Sequence, residues 1–118
     1  MYGAMKLLIV ENNPSVRRIL KTVVASLADE ILECADGDES VKIYRAEKPD
    51  FVLMDVNLGE TNGIVATRQI RAFDFCAKII IVTSYDETDL RQAATEAGAI
   101  GFVLKDNLGS INQILKGN

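Results

Sequence analysis

Phe51-Val52-Leu53-Met54-Asp55 is a run of four apolar residues closed by a carboxylate, and three other apolar runs of the chain likewise end in a group that could grip phosphate or a metal ion. Leu7-Leu8-Ile9-Val10 ends in Glu11 and Asn12, Ile79-Ile80-Ile81-Val82 ends in Thr83, and Phe102-Val103-Leu104 ends in Lys105. Short runs that are apolar on both faces, as around Asp55 and Thr83, mark central strands of a parallel sheet covered by helices. The C-terminal ends of such strands share one rim, so polar endings from four distant parts of the chain converge there.

Working outward, strand-like runs are predicted at residues 6–10, 30–34, 50–54, 78–83 and 101–104. Between them, helical periodicity is predicted at residues 14–27, 38–46, 63–73, 88–97 and 108–116. Val16, Ile19, Leu20, Val23, Val24 and Leu27 form one apolar stripe on the first helix, and Pro14 suits its first turn. The fourth helix relies on Leu90, Ala93, Ala94 and Ala97, small side chains that permit a low-cost shift. Five-fold β–α alternation with right-handed crossovers gives a three-layer, doubly wound α/β fold. Periodicity alone does not set the strand order. The expected order is 2-1-3-4-5, which puts the reversal between the strands ending at Val10 and Met54, where Glu11, Asn12 and Asp55 meet.

Composition narrows the chemistry. At 118 residues the chain is expected to form a single domain over residues 1–118, with its core in residues 6–116. It contains no histidine, which excludes the usual Ser-His-Asp hydrolase and removes a frequent transition-metal ligand. The net charge is −4, and Arg17, Arg18 and Lys21 read as the wet face of the first helix, so no nucleic-acid contact is expected from this segment. Cys34 and Cys76 match no zinc spacing and are expected to be reduced. The first residues lack the features of a signal peptide and no run approaches membrane-spanning length, so a cytoplasmic location and no membrane partner are expected.

Taken singly, each strand-end residue has an ordinary explanation. Asp55 suits a turn or helix cap, Asn12 a turn, Thr83 a strand and Lys105 a solvated edge. Taken together they form an oxygen-rich site with an ammonium and a hydroxyl aimed into it. Glu11, Asn12 and Asp55 offer oxygen ligands suited to Mg2+, and Lys105 and Thr83 offer a charge and a donor to phosphoryl oxygens.

The pieces LIVEN at 8–12, FVLMDVNLGETNG at 51–63, IIIVTSYD at 79–86 and GFVLKD at 101–106 resemble, in residues and spacing, the response regulator receiver domain of two-component signalling. The resemblance runs from Lys6 through Lys116 and implies the CheY-like version of the flavodoxin-like architecture. It implies that Asp55 accepts a phosphoryl group from a sensor histidine kinase or phosphotransfer protein. Glu11 and Asn12 take the places of the acidic metal-binding pair, and the carbonyl of Asn57 completes the protein's Mg2+ ligands. Lys105 contacts the phosphoryl group, Thr83 moves toward it, and Phe102 is the aromatic switch residue. The resemblance describes a switch that assists its own phosphorylation and slow dephosphorylation, not a metabolic enzyme.

Several positions depart from the family pattern. An aspartate pair is usual where this chain has Glu11 and the neutral Asn12, which implies weaker Mg2+ binding. Gly59 replaces a common proline and is expected to loosen the loop. Asp106 replaces a common proline after the lysine, so the Lys105–Asp106 bond is expected to be trans. Ser84 replaces an alanine beside Thr83. Asn12 also admits a phosphorylation-independent pseudo-receiver acting as an interaction module. A haloacid-dehalogenase-like phosphohydrolase is disfavoured by Asn57, where that class wants a second aspartate, and an FMN carrier by the ENNPS segment after the first strand. KDNLGS at 105–110 resembles receivers joined to C-terminal helix-turn-helix output domains, and homodimerisation is open.

Overall fold

The computed structural model describes residues 4–59 and 61–117. Along the chain run β1 (Lys6–Val10), α1 (Pro14–Val24), β2 (Glu30–Cys34), α2 (Gly37–Glu47) and β3 (Phe51–Met54). They are followed by α3 (Gly63–Phe73), β4 (Ile79–Thr83), α4 (Thr88–Ala97), β5 (Gly101–Leu104) and α5 (Ser110–Gly117). All neighbouring strands are parallel, in the order β2-β1-β3-β4-β5. The expected doubly wound α/β architecture and strand order are both present.

The two-residue period of each strand divides its side chains between two cores. Leu8, Val10, Val52, Met54, Ile79 and Ile81 pack on the side of α2, α3 and α4, with Tyr44, Ile70 and Ala94. Leu7, Ile9, Phe51, Leu53, Ile80 and Val82 pack on the side of α1 and α5, with Leu20, Val24, Ile111 and Leu115. The central strands are buried on both faces, which is why their sequences read as unbroken apolar runs.

Three helix starts facing the rim are fixed by side-chain caps. Asn13 Oδ1 accepts from the amides of Ser15 and Val16, Asp36 from Glu39, and Asn62 from Val65. Glu87 precedes α4 without a side-chain cap, and that helix packs chiefly through Ala94 and Ala97, as its sparse stripe suggested. Some boundaries differ from the sequence reading. α1 stops at Val24 instead of residue 27, because Val24 O turns to accept from the amides of both Leu27 and Ala28. α5 starts at Ser110 instead of residue 108, where Ser110 Oγ bonds Asn107 O and ends the preceding turn. No helix among the described residues is long and apolar enough to cross a membrane.

Candidate functional site

The topological reversal brings Glu11 and Asp55 side by side at the ends of β1 and β3. Asp55 N donates to Val10 O at 3.0 Å, extending the β1–β3 ladder one residue beyond the strands. Glu11 N donates to Cys34 O at 3.1 Å, tying the other side of the same turn to β2. Both side chains are buried, Glu11 at 1% and Asp55 at 4% exposure. Lys105, one residue past β5, reaches across β4 to both: its Nζ lies 2.9 Å from Glu11 Oε1 and 3.4 Å from Asp55 Oδ1.

One ammonium thus serves two buried carboxylates, leaving one formal negative charge in a poorly solvated pocket. Burial, and then the Glu11 charge, push the Asp55 carboxyl above its ordinary 3.8, while Lys105 and the Val56 amide, 2.8 Å from Oδ1, pull the other way. Burial works against the Lys105 charge, but the carboxylates of Glu11 and Asp55 outweigh it and hold the ammonium above its ordinary 10.5. Lys105 is therefore charged at any physiological pH.

The remaining expected site residues stand around this triad. Thr83 is fully buried at the end of β4; its Oγ1 accepts from Tyr85 N at 3.3 Å and makes no hydrogen bond to Asp55. Its carbonyl takes the Lys105 amide at 2.8 Å. Phe102 is half-buried on the α4 side of β5, with the Arg91 guanidinium 4.4 Å from its ring centroid, so it is neither free nor sealed in the core. Asn12, Asn57 and Ser84 are exposed. Among the described residues no group of three or more His, Cys, Asp or Glu side chains gathers to hold a metal.

Two contributors escaped the sequence reading. Arg17 is not simply part of the wet face of α1: its Nη1 donates to Glu11 O at 2.6 Å and its Nε to Glu33 Oε1 at 3.2 Å, pinning the turn that carries Glu11. No short-range spacing signals a bond from a helix residue to a carbonyl six positions back. Gly63 is the other, for a Cβ built there would lie 1.9 Å from Asp55 O. Two of the departures noted above have a backbone counterpart. Gly59 sits at φ +81°, in the left-handed region that proline cannot enter, so the turn itself calls for glycine. No cis peptide bond occurs among the described residues, and Lys105–Asp106 is trans as expected. Cys34 is buried, its thiol pushed up to about 12 chiefly by burial, and neither it nor the exposed Cys76 is in a disulfide.

The response regulator receiver domain model matches residues 7–116. The chain belongs to that family. This receiver is 35% identical over 101 residues to the chemotaxis protein CheY of Thermotoga maritima, covering 85% of this chain and 84% of that one. It is 32% identical over 102 residues to CheY of Halobacterium salinarum, covering 86% and 85%. The regulatory protein AtoC of Escherichia coli is 30% identical over 117 residues, which are 98% of this chain but 25% of AtoC. A LuxR-family response regulator from Aurantimonas sp. SI85-9A1 superimposes with a TM-score of 0.91 at 31% identity, covering 98% of this chain and 84% of that one. Receiver domains of this family are classed as phospho-signalling domains, non-enzymatic phosphoacceptor switches.

Proposed function

We propose that this receiver takes a phosphoryl group onto Asp55 from a phosphohistidine of a sensor kinase or phosphotransfer protein, with Mg2+, and returns to its resting state by hydrolysis. The observation that carries the reading is the single Lys105 ammonium shared by two buried carboxylates. An Asp55 oxygen attacks phosphorus, the P–N bond breaks, and its electron pair stays on the departing imidazole nitrogen, giving a neutral imidazole that carries its proton on the other ring nitrogen. Lys105 then exchanges part of its contact with Asp55 for a phosphoryl oxygen. The chain's remaining work is orientation. The Val56 amide and Lys105 hold Asp55 Oδ1, which leaves Oδ2 as the attacking oxygen.

The donor set fits a hard divalent cation. Two buried carboxylates with one ammonium leave a net negative charge, all the donors are oxygen, and Mg2+ usually takes only one or two carboxylates and completes its shell with water and phosphate oxygens. Glu11, Asp55 and the Asn57 carbonyl would hold it, with Asn12 beside them. Bound there, the ion would neutralise the repulsion between Asp55 and an incoming phosphoryl group. Because Asn12 supplies no charge, Asn12→Asp is expected to tighten Mg2+ binding about tenfold, as one added carboxylate would. An unchanged Mg2+ titration would refute that role for position 12.

Phosphorylation would then add roughly two negative charges and three acceptor oxygens at the rim. Thr83 Oγ1, held among the described residues by the 3.3 Å contact from Tyr85 N, is free to turn toward them, and Phe102 to follow beneath Arg91. Lys105→Met removes the ammonium that both orients Asp55 and meets phosphoryl charge. Its uptake of phosphate from acetyl phosphate is expected to slow by about a hundredfold, read as the rate of mass gain; an unaltered rate would remove Lys105 from the reaction.

The direct test is intact mass after acetyl phosphate or phosphoramidate, with and without Mg2+. A Mg2+-dependent gain of one phosphoryl group that hydroxylamine removes supports the proposal. No gain from any donor favours the phosphorylation-independent interaction module, the reading to which the exposed, neutral Asn12 lends itself.

A further inference from the structure

The two ends of α4 are held very differently. At the C-terminal end Gly98 N donates to Thr95 O and Ala99 N to Ala94 O, both at 3.0 Å, and Ile100 N donates to Ile79 O at 2.8 Å. Arg71 Nη1 adds a bond from α3 to Gly98 O at 3.1 Å. At the N-terminal end Glu87 supplies no side-chain cap. Leu90 packs at the edge of the core there, and Arg91 reaches β5. The helix is therefore fixed at its far end and lightly tethered at the end nearest Thr83.

Arg91 makes two contacts at once. Its Nε lies 2.6 Å from Asp86 Oδ1, in the loop after β4, and its Cζ lies 4.4 Å from the Phe102 ring centroid. The carboxylate fixes where the guanidinium stands, and the guanidinium covers the ring. In the β4–β5 ladder Phe102 pairs with Ile81 and Leu104 with Thr83. Side chains alternate along a strand, so Phe102, Ile81 and Thr83 project from the same face of the sheet, toward α4. Asp86 follows Thr83 on the same segment, where Tyr85 N donates to Thr83 Oγ1 at 3.3 Å. Thr83, Asp86, Arg91 and Phe102 thus form a closed circuit. A turn of Thr83 that gives up the Tyr85 amide disturbs the segment carrying Asp86, and a ring that moves inward leaves the guanidinium.

We propose that Arg91 is an autoinhibitory latch. Seated on Asp86 and over Phe102, it holds the ring and the segment after β4 in the resting arrangement and so slows phosphoryl uptake. The proposal rests on the reading that Asp55 is phosphorylated and that Thr83 turns toward the phosphoryl oxygens. Arg91 touches no reacting atom, so it is a positioning residue that acts through Phe102 and the loop. The Arg91 side chain is 46% exposed and that of Asp86 55%, which keeps both contacts modest. Together an exposed ion pair and an exposed cation–ring contact bias a two-state balance by about fivefold. Such a bias tunes the fraction of molecules ready to react and is small enough for a bound phosphoryl group to overcome.

The test compares the ¹⁵N-labelled parent with Arg91→Gln, Arg91→Lys, Phe102→Leu and the double variant Arg91→Gln, Phe102→Leu, before and after acetyl phosphate with Mg2+. In unphosphorylated Arg91→Gln the amide signals of Thr83, Tyr85 and Phe102 are expected to move part of the way toward their positions in the phosphorylated parent. Uptake, read by intact mass, is expected to quicken about fivefold. Arg91→Lys keeps the cation and is expected to restore most of the slow uptake, which a loss of packing alone would not explain. Raising salt in the parent is expected to move the same signals in the same direction. In the Phe102→Leu background Arg91→Gln is expected to add little, the mark of a coupled pair. Unmoved Thr83 and Tyr85 signals in Arg91→Gln, an unchanged or slower uptake, or the same gain in the Phe102→Leu background would overturn the latch. A parent that takes phosphate from no donor would instead remove the phosphorylation reading. The latch would then be decided in the unphosphorylated protein: displaced Thr83 and Tyr85 signals that Phe102→Leu suppresses uphold it, and their absence ends it.

Discussion

Asp55→Asn is expected to take up no phosphoryl group from any donor and yet to unfold at a higher temperature than the parent protein at neutral pH. The first part follows because a neutral amide oxygen is not a nucleophile toward phosphorus at these rates, and the other buried carboxylate, Glu11, is engaged by Lys105 Nζ and the Asn13 amide. Intact mass after acetyl phosphate with Mg2+ checks it; a hydroxylamine-labile gain in the variant would mean that another residue accepts phosphate. The second part is a linkage argument. The folded protein holds the Asp55 carboxyl above 3.8, so it binds that proton more tightly than the unfolded chain does. Stability from this group is fully present below pH 3.8 and is lost as pH rises through the folded value. Asparagine keeps an Oδ1 acceptor for the Val56 amide and for Lys105 without an ionisation to lose. The variant's advantage should therefore be present at pH 7 without Mg2+ and vanish as pH falls below about 4. Melting temperatures across that range decide it, and a variant less stable than the parent at pH 7 would defeat the argument.

Gly63→Ala is expected to destabilise the fold by about 3 kcal/mol or more, and to impair phosphoryl uptake in whatever population remains folded. On helix propensity alone the change should help, since alanine in a helix is favoured over glycine by about 1 kcal/mol. Packing reverses the sign. The added Cβ would meet Asp55 O at 1.9 Å, Asp55 C at 2.8 Å and Met54 Cγ at 2.9 Å, and the first two are backbone atoms of the site. Gly63 N also donates to Val56 O at 2.9 Å, so α3 cannot withdraw without breaking the loop that follows Asp55. Gly109→Ala is the control, because nothing lies within 4 Å of its added Cβ and its φ is not in the left-handed region. Urea unfolding of both variants gives the comparison; equal midpoints would show that the α3–β3 approach is softer than this packing requires.

What the sequence made legible was whatever depends on local period and on strand ends. Continuous runs such as Ile79-Ile80-Ile81-Val82 announce burial on both faces, and a strand-end carboxylate announces the rim, so Glu11, Asp55 and Lys105 could be expected to meet. Helix ends were less legible because they turn on single bonds between distant or weakly patterned groups. Leu27 continues the apolar stripe of α1 and still packs against the core, yet Val24 O has already turned to close the helix. Arg17 shows the limit most clearly. Its spacing places it on the solvent side of α1, and only the three-dimensional path of the β1–α1 turn converts it into a clamp on Glu11 O. Gly63 and Gly59 are indistinguishable as letters. One is required by a close backbone approach and the other by a left-handed turn.

The Arg17 and Lys21 contacts to Glu33 have one more consequence, for how the protein behaves at high concentration. A five-stranded open sheet exposes unpaired backbone only along β2 and β5, and such edges invite strand addition from other chains. Here β5 is only four residues long and opens with a glycine. β2 carries Glu30 and Glu33, and the latter is held by Arg17 at 3.2 Å and Lys21 at 3.0 Å, which lays long charged side chains beside the strand. An incoming strand would have to desolvate these groups before pairing, so neither border of the sheet is a ready template for fibril growth.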